Sequence, residues 1–159
     1  MTQNTPTENT ATENTATEST ATKQPPAPNV WPAFRANDAR GLIKFLVEAL
    51  GFEEVVVYGE AGRVDHAELA WPPGGGVMLG SVKAGSARDD AGQSGVTGPG
   101  HFSAYVVTSN PDGLYARAVA HGAKVASELH DTDYGSRDFA IEDPEGNRWS
   151  FGTYPGHPR

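Results

Sequence analysis

The sequence predicts an α+β fold of two β-α-β-β-β modules, which together form one curved, cup-shaped mixed sheet with both helices outside. Three observations lead to this prediction. Strand-like and helix-like hydrophobic patterns occur in the same order in residues 29–81 and 100–154. The helical segment of each half carries a Gly-Leu pair and ends at a glycine. The segment 82–99 between the halves is rich in Gly, Ser and Asp, and we expect it to be a linker or a functional lid.

The first half begins with a predicted strand at 30–35, followed by a helix that Asn37 or Asp38 caps. The apolar residues of this helix recur at helical spacing and Gly51 ends it: Leu42, Phe45, Leu46, Ala49 and Leu50. Three further strands are predicted between Gly-rich turns, at 53–58, 64–71 and 77–81.

The second half repeats this order. A strand at 101–108 precedes a helix that opens at Asn110-Pro111 and ends at Gly122. Strands at 124–129, around Phe139 and Ile141, and at 148–154 complete the predicted module.

Residues 1–28 differ in composition from the predicted domain, residues 29–155. From Glu8 they repeat the unit ENTAT, ENTAT, ESTAT, and they end in a Pro-rich stretch. No aromatic or large aliphatic residue occurs between Thr2 and Asn29, so the segment buries too little apolar surface to offset its ordering entropy. We expect a disordered tail, which leaves open a role in attaching the domain to a complex.

Composition excludes several classes of function. The chain has 12 Lys and Arg against 20 Asp and Glu, a net charge of −8, and no basic run, which disfavours nucleic-acid binding. It contains no cysteine, so disulfides and thiolate chemistry are excluded. No apolar stretch approaches the roughly 20 residues that span a bilayer. Because the N-terminus also lacks a secretory signal pattern, we expect a cytoplasmic protein.

Several motifs resemble those of one superfamily. The segment YGSRDFAIEDPEGNRWSFGTY, residues 134–154, has an Asp-Pro-Glu-Gly-Asn turn between the last two predicted strands. RAND at 35–38, LGF at 50–52 and Gly-His at 100–101 add to the pattern. With these motifs, residues 29–155 resemble the glyoxalase/bleomycin-resistance/dioxygenase, or vicinal oxygen chelate, superfamily. The resemblance implies the fold more strongly than the activity, because this scaffold supports isomerases, dioxygenases, transferases and drug-binding proteins.

The resemblance also implies where a metal would be held, by one ligand on the first and fourth strands of each module. The corresponding positions here are Trp31, Leu79, His101 and Ser150. Only His101 is a good ligand for a divalent metal, and a shift of one residue along the first or fourth strand brings no other. We therefore expect no metal, no cofactor and no catalytic residue of the glyoxalase kind.

Alternation along the strands from these positions predicts a cup with aromatic, aliphatic and polar walls, suited to an organic molecule. Trp31 fits a core position equally well, and Arg35 is suited either to an acidic ligand or to pairing with Glu68 or another carboxylate. The predicted ligand-binding residues are Trp31, Arg35, His66, Glu68, Leu79, His101, Tyr105, Arg148 and Ser150.

Two functions remain in view. The first is a metal-independent homodimer similar to bleomycin-resistance proteins, which binds or sequesters a small organic molecule; the acidic domain favours a cationic drug. The alternative is a glyoxalase-like lyase, isomerase or transferase with an atypical metal site built from His101, His66 and Glu68. The sequence leaves open whether the modules close within one chain or between two.

Overall fold

The computed structural model describes residues 29–60, 62–82 and 98–157, together with Met1. The predicted disordered tail, apart from Met1, lies outside the described residues, as does most of the predicted linker 82–99.

Both modules contain one helical segment and four strands. The first module consists of β1 (Ala33–Ala36), α1 (Ala39–Phe45) continued by a π-helical turn (Leu46–Leu50), β2 (Glu53–Tyr58), β3 (His66–Ala70) and β4 (Gly76–Ser81). The second consists of β5 (Ser103–Val107), α2 (Pro111–Ala120), β6 (Lys124–Asp131), β7 (Arg137–Glu142) and β8 (Arg148–Gly152).

The described strands form two separate four-stranded sheets, in the orders β1-β4-β3-β2 and β5-β8-β7-β6. In each sheet the first and fourth strands of the module pair in parallel, and the other neighbours are antiparallel. The predicted α+β class and the two βαβββ modules with mixed sheets are confirmed. The two sheets are not joined into one, because no described strand of the first pairs with a strand of the second.

The repeated Gly-Leu pair has a structural cause at the start of each helix. Oδ1 of Asp38 accepts a hydrogen bond from the Gly41 amide at 2.9 Å, and Oδ1 of Asn110 accepts one from the Gly113 amide at 3.0 Å. A Cβ atom at Gly113 would lie 2.5 Å from the Asn110 amide nitrogen. Glycine at the third helical position therefore leaves room for the capping side chain in both modules.

The helix-bearing faces of the two sheets share one core. Among the described residues, four ring contacts cross between the modules, with centroid separations of 4.3, 6.2, 5.5 and 6.4 Å: Phe34–Phe102, Phe34–Trp149, Phe52–Trp149 and Trp71–Phe151. These rings lie in β1 or next to β2 and β3, and they reach β8 and the start of β5. One sheet therefore lies across the other with its helix-bearing face inward. The opposite face of each sheet is open, and the two open faces point away from each other.

The Asp-Pro-Glu-Gly-Asn turn fastens the second module to the first. Its Glu145 carboxylate accepts hydrogen bonds from the backbone amides of Asn37 (3.0 Å) and Asp38 (2.7 Å), and from the Asn37 side chain (2.9 Å). These donors lie where β1 leads into α1, so a carboxylate of one module is placed at the helix N-terminus of the other.

A second polar link joins the helical segments. Arg117 of α2 donates from Nε to the Glu48 carbonyl at 2.7 Å and from Nη2 to the Val47 carbonyl at 2.9 Å. Both carbonyls belong to the π-helical turn, and the Val47 carbonyl also accepts the Gly51 amide at 3.1 Å. Within the described part of the chain, no helix is long and apolar enough to cross a membrane.

Candidate functional site

Arg35, His66 and Glu68 lie on the open face of the first sheet, as their predicted role requires. Arg35 pairs in register with Gly80, and Glu68 pairs with Met78. Directly paired residues share a face, and side chains two positions apart on a strand do so as well. This open face therefore carries Ala33, Arg35, His66, Glu68, Met78 and Gly80.

The expectation that Leu79 lines the open face is wrong. Leu79 is paired with Phe34 and Ala67, is 3% exposed and belongs to the core. The predicted alternation on β4 is therefore displaced by one residue, and Met78 and Gly80 face the open side instead. The parallel pairing with β1 sets this register, because it places Leu79 beside the buried Phe34.

Trp31 lies just before β1 and covers the end of β4 on the open side. A Cβ atom at Gly76 would lie 2.6 Å from Cζ3 of the Trp31 ring, so the indole rests on a residue without a side chain. Trp31 is half-buried, and it stands at the edge of the open face rather than in the core.

The charged groups of this face are only partly paired. Nε2 of His66 lies 3.0 Å from Oε1 of Glu68, and the ring of Tyr58 stacks on His66 with centroids 6.4 Å apart. Arg35 extends over Gly80 and makes no hydrogen bond or ion pair with any residue that the structure describes. Glu68 thus pairs with His66 and not with Arg35, which leaves a guanidinium free to contact a ligand or a second chain.

Tyr105, Arg148 and Ser150 lie on the open face of the second sheet. Tyr105 is paired with Ser150, and Ser103 with Arg148. His101 precedes β5, is exposed, and directs Nδ1 to the Pro99 carbonyl at 2.8 Å. The predicted residues are thus divided between two open faces and are not gathered around one cup within the chain.

The residues at the implied metal positions do not fit a divalent metal. Trp31 and Ser150 are poor ligands, and β4 presents Met78 or Gly80 to the open side rather than an imidazole or a carboxylate. In the described ranges no group of three His, Asp or Glu side chains is placed to hold a metal. His101 is therefore not brought together with His66 and Glu68, as the alternative enzyme requires within one chain.

A cavity of about 640 Å³ lies between the modules, next to the shared core. The rings of Phe52, Trp71 and Trp149 line it, and the Gly-rich turn before β4 forms part of its wall. Nε1 of Trp71 crosses to the second module and donates to the Val107 carbonyl at 3.0 Å. Among the described lining residues there is no Asp, Glu, Lys, Arg or His, so the walls are almost uncharged.

The sequence patterns do not predict this cavity, and of the predicted ligand-binding residues only Tyr105 lines it. Trp71 is the last residue of the predicted strand 64–71, and the residues that follow it are predicted only as a Gly-rich turn. No local pattern reveals the cavity, since its walls come from β4, β5 and β8 and from residues next to β1, β2 and β3. The one available signal was a large aromatic residue directly before a run of prolines and glycines.

The cavity also has backbone polar groups at its side. β5 is an edge strand, and it bonds to β8 through the Phe102 carbonyl and the Thr108 amide. In a parallel pair the intervening odd-numbered residues direct their backbone groups to the other edge, where the Val107 carbonyl meets Trp71. The backbone groups of Tyr105 therefore face the cavity side and can orient a polar ligand group.

Crystal structures of other proteins have the same fold. The structure of TioX from Micromonospora sp. ML1 is similar with a TM-score of 0.61 and 27% identity, over 76% of this chain and 93% of that one. TnmS3, an antibiotic binding protein from Streptomyces sp. CB03234, aligns with a TM-score of 0.55 and 21% identity, over 75% of this chain and 88% of that one. No curated protein sequence matches the chain.

The family model described as Glyoxalase/Bleomycin resistance protein/Dioxygenase superfamily matches residues 30–151. This range includes all eight strands except the last residue of β8, and it excludes the Thr- and Glu-rich N-terminal segment. With the paired βαβββ modules and the fold shared with TioX, the match establishes that the chain belongs to the glyoxalase/bleomycin resistance protein/dioxygenase superfamily.

Proposed function

We propose that this protein binds or sequesters a small organic molecule without a metal, and that an apolar, planar part of that molecule occupies the cavity between the modules. The observation that carries the proposal is the cavity itself, about 640 Å³ in volume, lined by four aromatic residues and free of charged side chains in its described part. Ligand pockets usually measure about 300–1,000 Å³ and are mostly apolar with a few polar groups.

The chemistry of the lining supports binding rather than catalysis. Burial and ring stacking favour an aromatic ligand, and the edge of β5 supplies hydrogen bonds that fix its orientation. The described residues that line the cavity offer no acid, base or nucleophile except the Tyr105 and Ser109 hydroxyls. A relative of the same fold, TnmS3, is an antibiotic binding protein, which is consistent with the proposal.

We also propose that the protein is a homodimer. Each sheet has one open face, and the faces point away from each other within the chain. A second copy could cover the half-buried Met78 and Arg35, which has no partner among the described residues, and enclose a larger site. The cytoplasmic location stays a prediction.

Binding of N-phenyl-1-naphthylamine, a neutral planar probe whose fluorescence rises in apolar cavities, tests the proposed site. Replacing Trp71 by Ala removes one wall, and we expect affinity for the probe to fall about tenfold. Trp71→Phe keeps a ring but loses the hydrogen bond to Val107, and should have a smaller effect.

Tyr58→Ala is the matched control, because it removes an exposed ring outside the cavity. Circular dichroism establishes that each variant is folded. Unchanged affinity in Trp71→Ala, or an equal loss in Tyr58→Ala, would show that the probe binds elsewhere and would contradict the proposal.

A further inference from the structure

A carboxylate without a cationic partner lies on the open face of the second sheet. Asp138 of β7 is half-buried and is paired in register with Gly152 of β8 and His130 of β6. Its side chain accepts hydrogen bonds from the hydroxyls of Ser136 and, at 3.0 Å, Tyr134. Both donors are neutral, so the negative charge of Asp138 is solvated by the protein but not balanced.

The cationic side chains near Asp138 are engaged elsewhere. Arg137 is next in the chain but points to the other face, where it pairs with Asp112 at 2.9 Å and Asp131 at 3.1 Å. His130, across the strand, directs Nδ1 to the Glu128 carbonyl at 2.7 Å. No ion pair of the described residues includes Asp138, so none of their cationic side chains balances its charge.

Three tyrosine rings surround this carboxylate. Gly152 allows the Tyr105 hydroxyl and the Asp138 carboxylate to lie close together, because a Cβ atom at this position would collide with both groups. The Tyr105 hydroxyl also accepts the Tyr154 amide at 3.2 Å. The rings of Tyr134 and Tyr154 meet edge to face at 5.9 Å.

These rings are accessible to a ligand and electrically neutral. The exposed fractions are 44% for Tyr105, 62% for Tyr134 and 37% for Tyr154. The hydrogen bond to Asp138 raises the pKa of Tyr134, and burial and the Asp138 charge act in the same direction. The phenol therefore stays protonated, and its ring face presents the negative side of the quadrupole.

We propose that Asp138 and the rings of Tyr105, Tyr134 and Tyr154 form a binding site for an organic ammonium ion. An ammonium group gains from a carboxylate and from aromatic faces at the same time, whereas a neutral group gains less and an anionic group is repelled by the carboxylate. The net charge of −8 attracts cations to the protein over a longer range. The site lies on the face of the second sheet opposite the shared core, and the inference goes beyond the ligand cavity proposed above.

Benzylammonium and benzyl alcohol are a suitable pair of probes, since they have nearly the same shape and differ in charge. Titration of the full chain, followed by amide chemical shifts in NMR spectra, should show saturable binding of benzylammonium. The shifts should concentrate at 134–138 and 152–154, which do not line the cavity. Benzyl alcohol should bind at least about fivefold more weakly.

Two substitutions on one strand separate a local site from general electrostatic attraction. Asp138→Asn keeps the shape of the side chain but removes its charge, and should weaken benzylammonium binding at least about fivefold. Glu142→Gln removes a charge from the same strand, but Glu142 is already balanced by Lys124 at 2.6 Å. Glu142→Gln should therefore leave benzylammonium binding nearly unchanged.

A second pair of variants tests the ring, and it remains informative if Asp138→Asn does not fold. Tyr134→Phe keeps the ring and releases one lone pair of Asp138, so binding should be retained. Tyr134→Leu should weaken it. Equal binding of the two probes, equal losses in Asp138→Asn and Glu142→Gln, or no saturable binding of benzylammonium would overturn the inference. Trp71→Ala should not affect this titration, so the site and the cavity succeed or fail separately.

Discussion

Glu145 connects the two modules through a single side chain. Its carboxylate accepts hydrogen bonds from the amides of Asn37 and Asp38 and from the Asn37 side chain. Glu145→Ala should lower the free energy of unfolding by about 1–2 kcal/mol, because three donors at a helix start lose a charged acceptor. Urea denaturation measures this change.

Glu60→Ala is the control, since the Glu60 side chain makes no hydrogen bond or ion pair with the described residues. Naphthylamine binding should persist in both variants because Glu145 does not line the cavity. A loss of binding without a loss of stability would assign Glu145 a functional role and contradict the structural one.

The same turn shows why a motif can be predicted from sequence while its purpose is not. The Asn147 side chain accepts the amides of Gly100 (3.0 Å) and Phe102 (3.2 Å), and Asp143 accepts Nε1 of the buried Trp149 at 2.9 Å. The Asp-Pro-Glu-Gly-Asn pattern predicts a turn from local preferences. The partners of Asn147 lie 45 or more residues away in the sequence, so the spacing of residues in the motif could not predict them.

At the level of elements, an ion pair joins α2 to β7. Arg137 at the start of β7 donates to both oxygens of Asp112 in the first turn of α2. The hydrogen bond from Arg137 lowers the pKa of Asp112. Because the pKa of Asp112 is lower in the folded protein, its ionised carboxylate stabilises the fold at pH values above the ordinary pKa of 3.8. This stabilisation is lost as the pH falls through the lowered pKa.

Asp112→Asn should therefore reduce the free energy of unfolding slightly at pH 7, and the difference from wild type should disappear in acid well below pH 3.8. The effect is small because both side chains are exposed to water. Denaturation at several pH values measures it, with Asp133→Asn as an exposed control. A difference that persists unchanged in acid would show that the charge plays no part.

Strand β4 shows what a hydrophobic pattern can and cannot predict about one element. Its existence and approximate bounds follow from the sequence, but the side that faces the core does not. The segment VMLGS alternates too weakly to distinguish Leu79 from Met78, and only pairing with the buried Phe34 decides it. On β3, where polar and apolar residues alternate clearly, the predicted faces of His66 and Glu68 agree with the register.

For the whole molecule, metal independence is a direct prediction. Dialysis against EDTA should leave naphthylamine affinity and thermal stability unchanged, because no metal takes part in the proposed binding. Elemental analysis should find less than one divalent ion per chain. A stoichiometric metal that is lost in His66→Ala, together with lower stability after EDTA, would favour the atypical metalloenzyme instead.

The proposed homodimer predicts a mass of twice 16.8 kDa in sedimentation equilibrium. Met78→Glu places a charge on the open face of the first sheet and should shift the equilibrium towards monomer, since burying an unpaired charge is costly. Val119→Glu, at an exposed position on α2, should not. A monomer at all concentrations would contradict the dimer.

The sequence by itself determined the two βαβββ modules, the superfamily and the lack of a usual set of metal ligands, because these depend on local periodicity, turn residues and side-chain chemistry. The tertiary structure decided where the modules meet, which residues of β4 are buried and where a ligand-sized cavity lies. Those features depend on contacts between segments far apart in the chain, such as Trp71 with Val107 and Phe34 with Phe102. Packing of one helix-bearing face on the other selects these contacts, and no single segment encodes them.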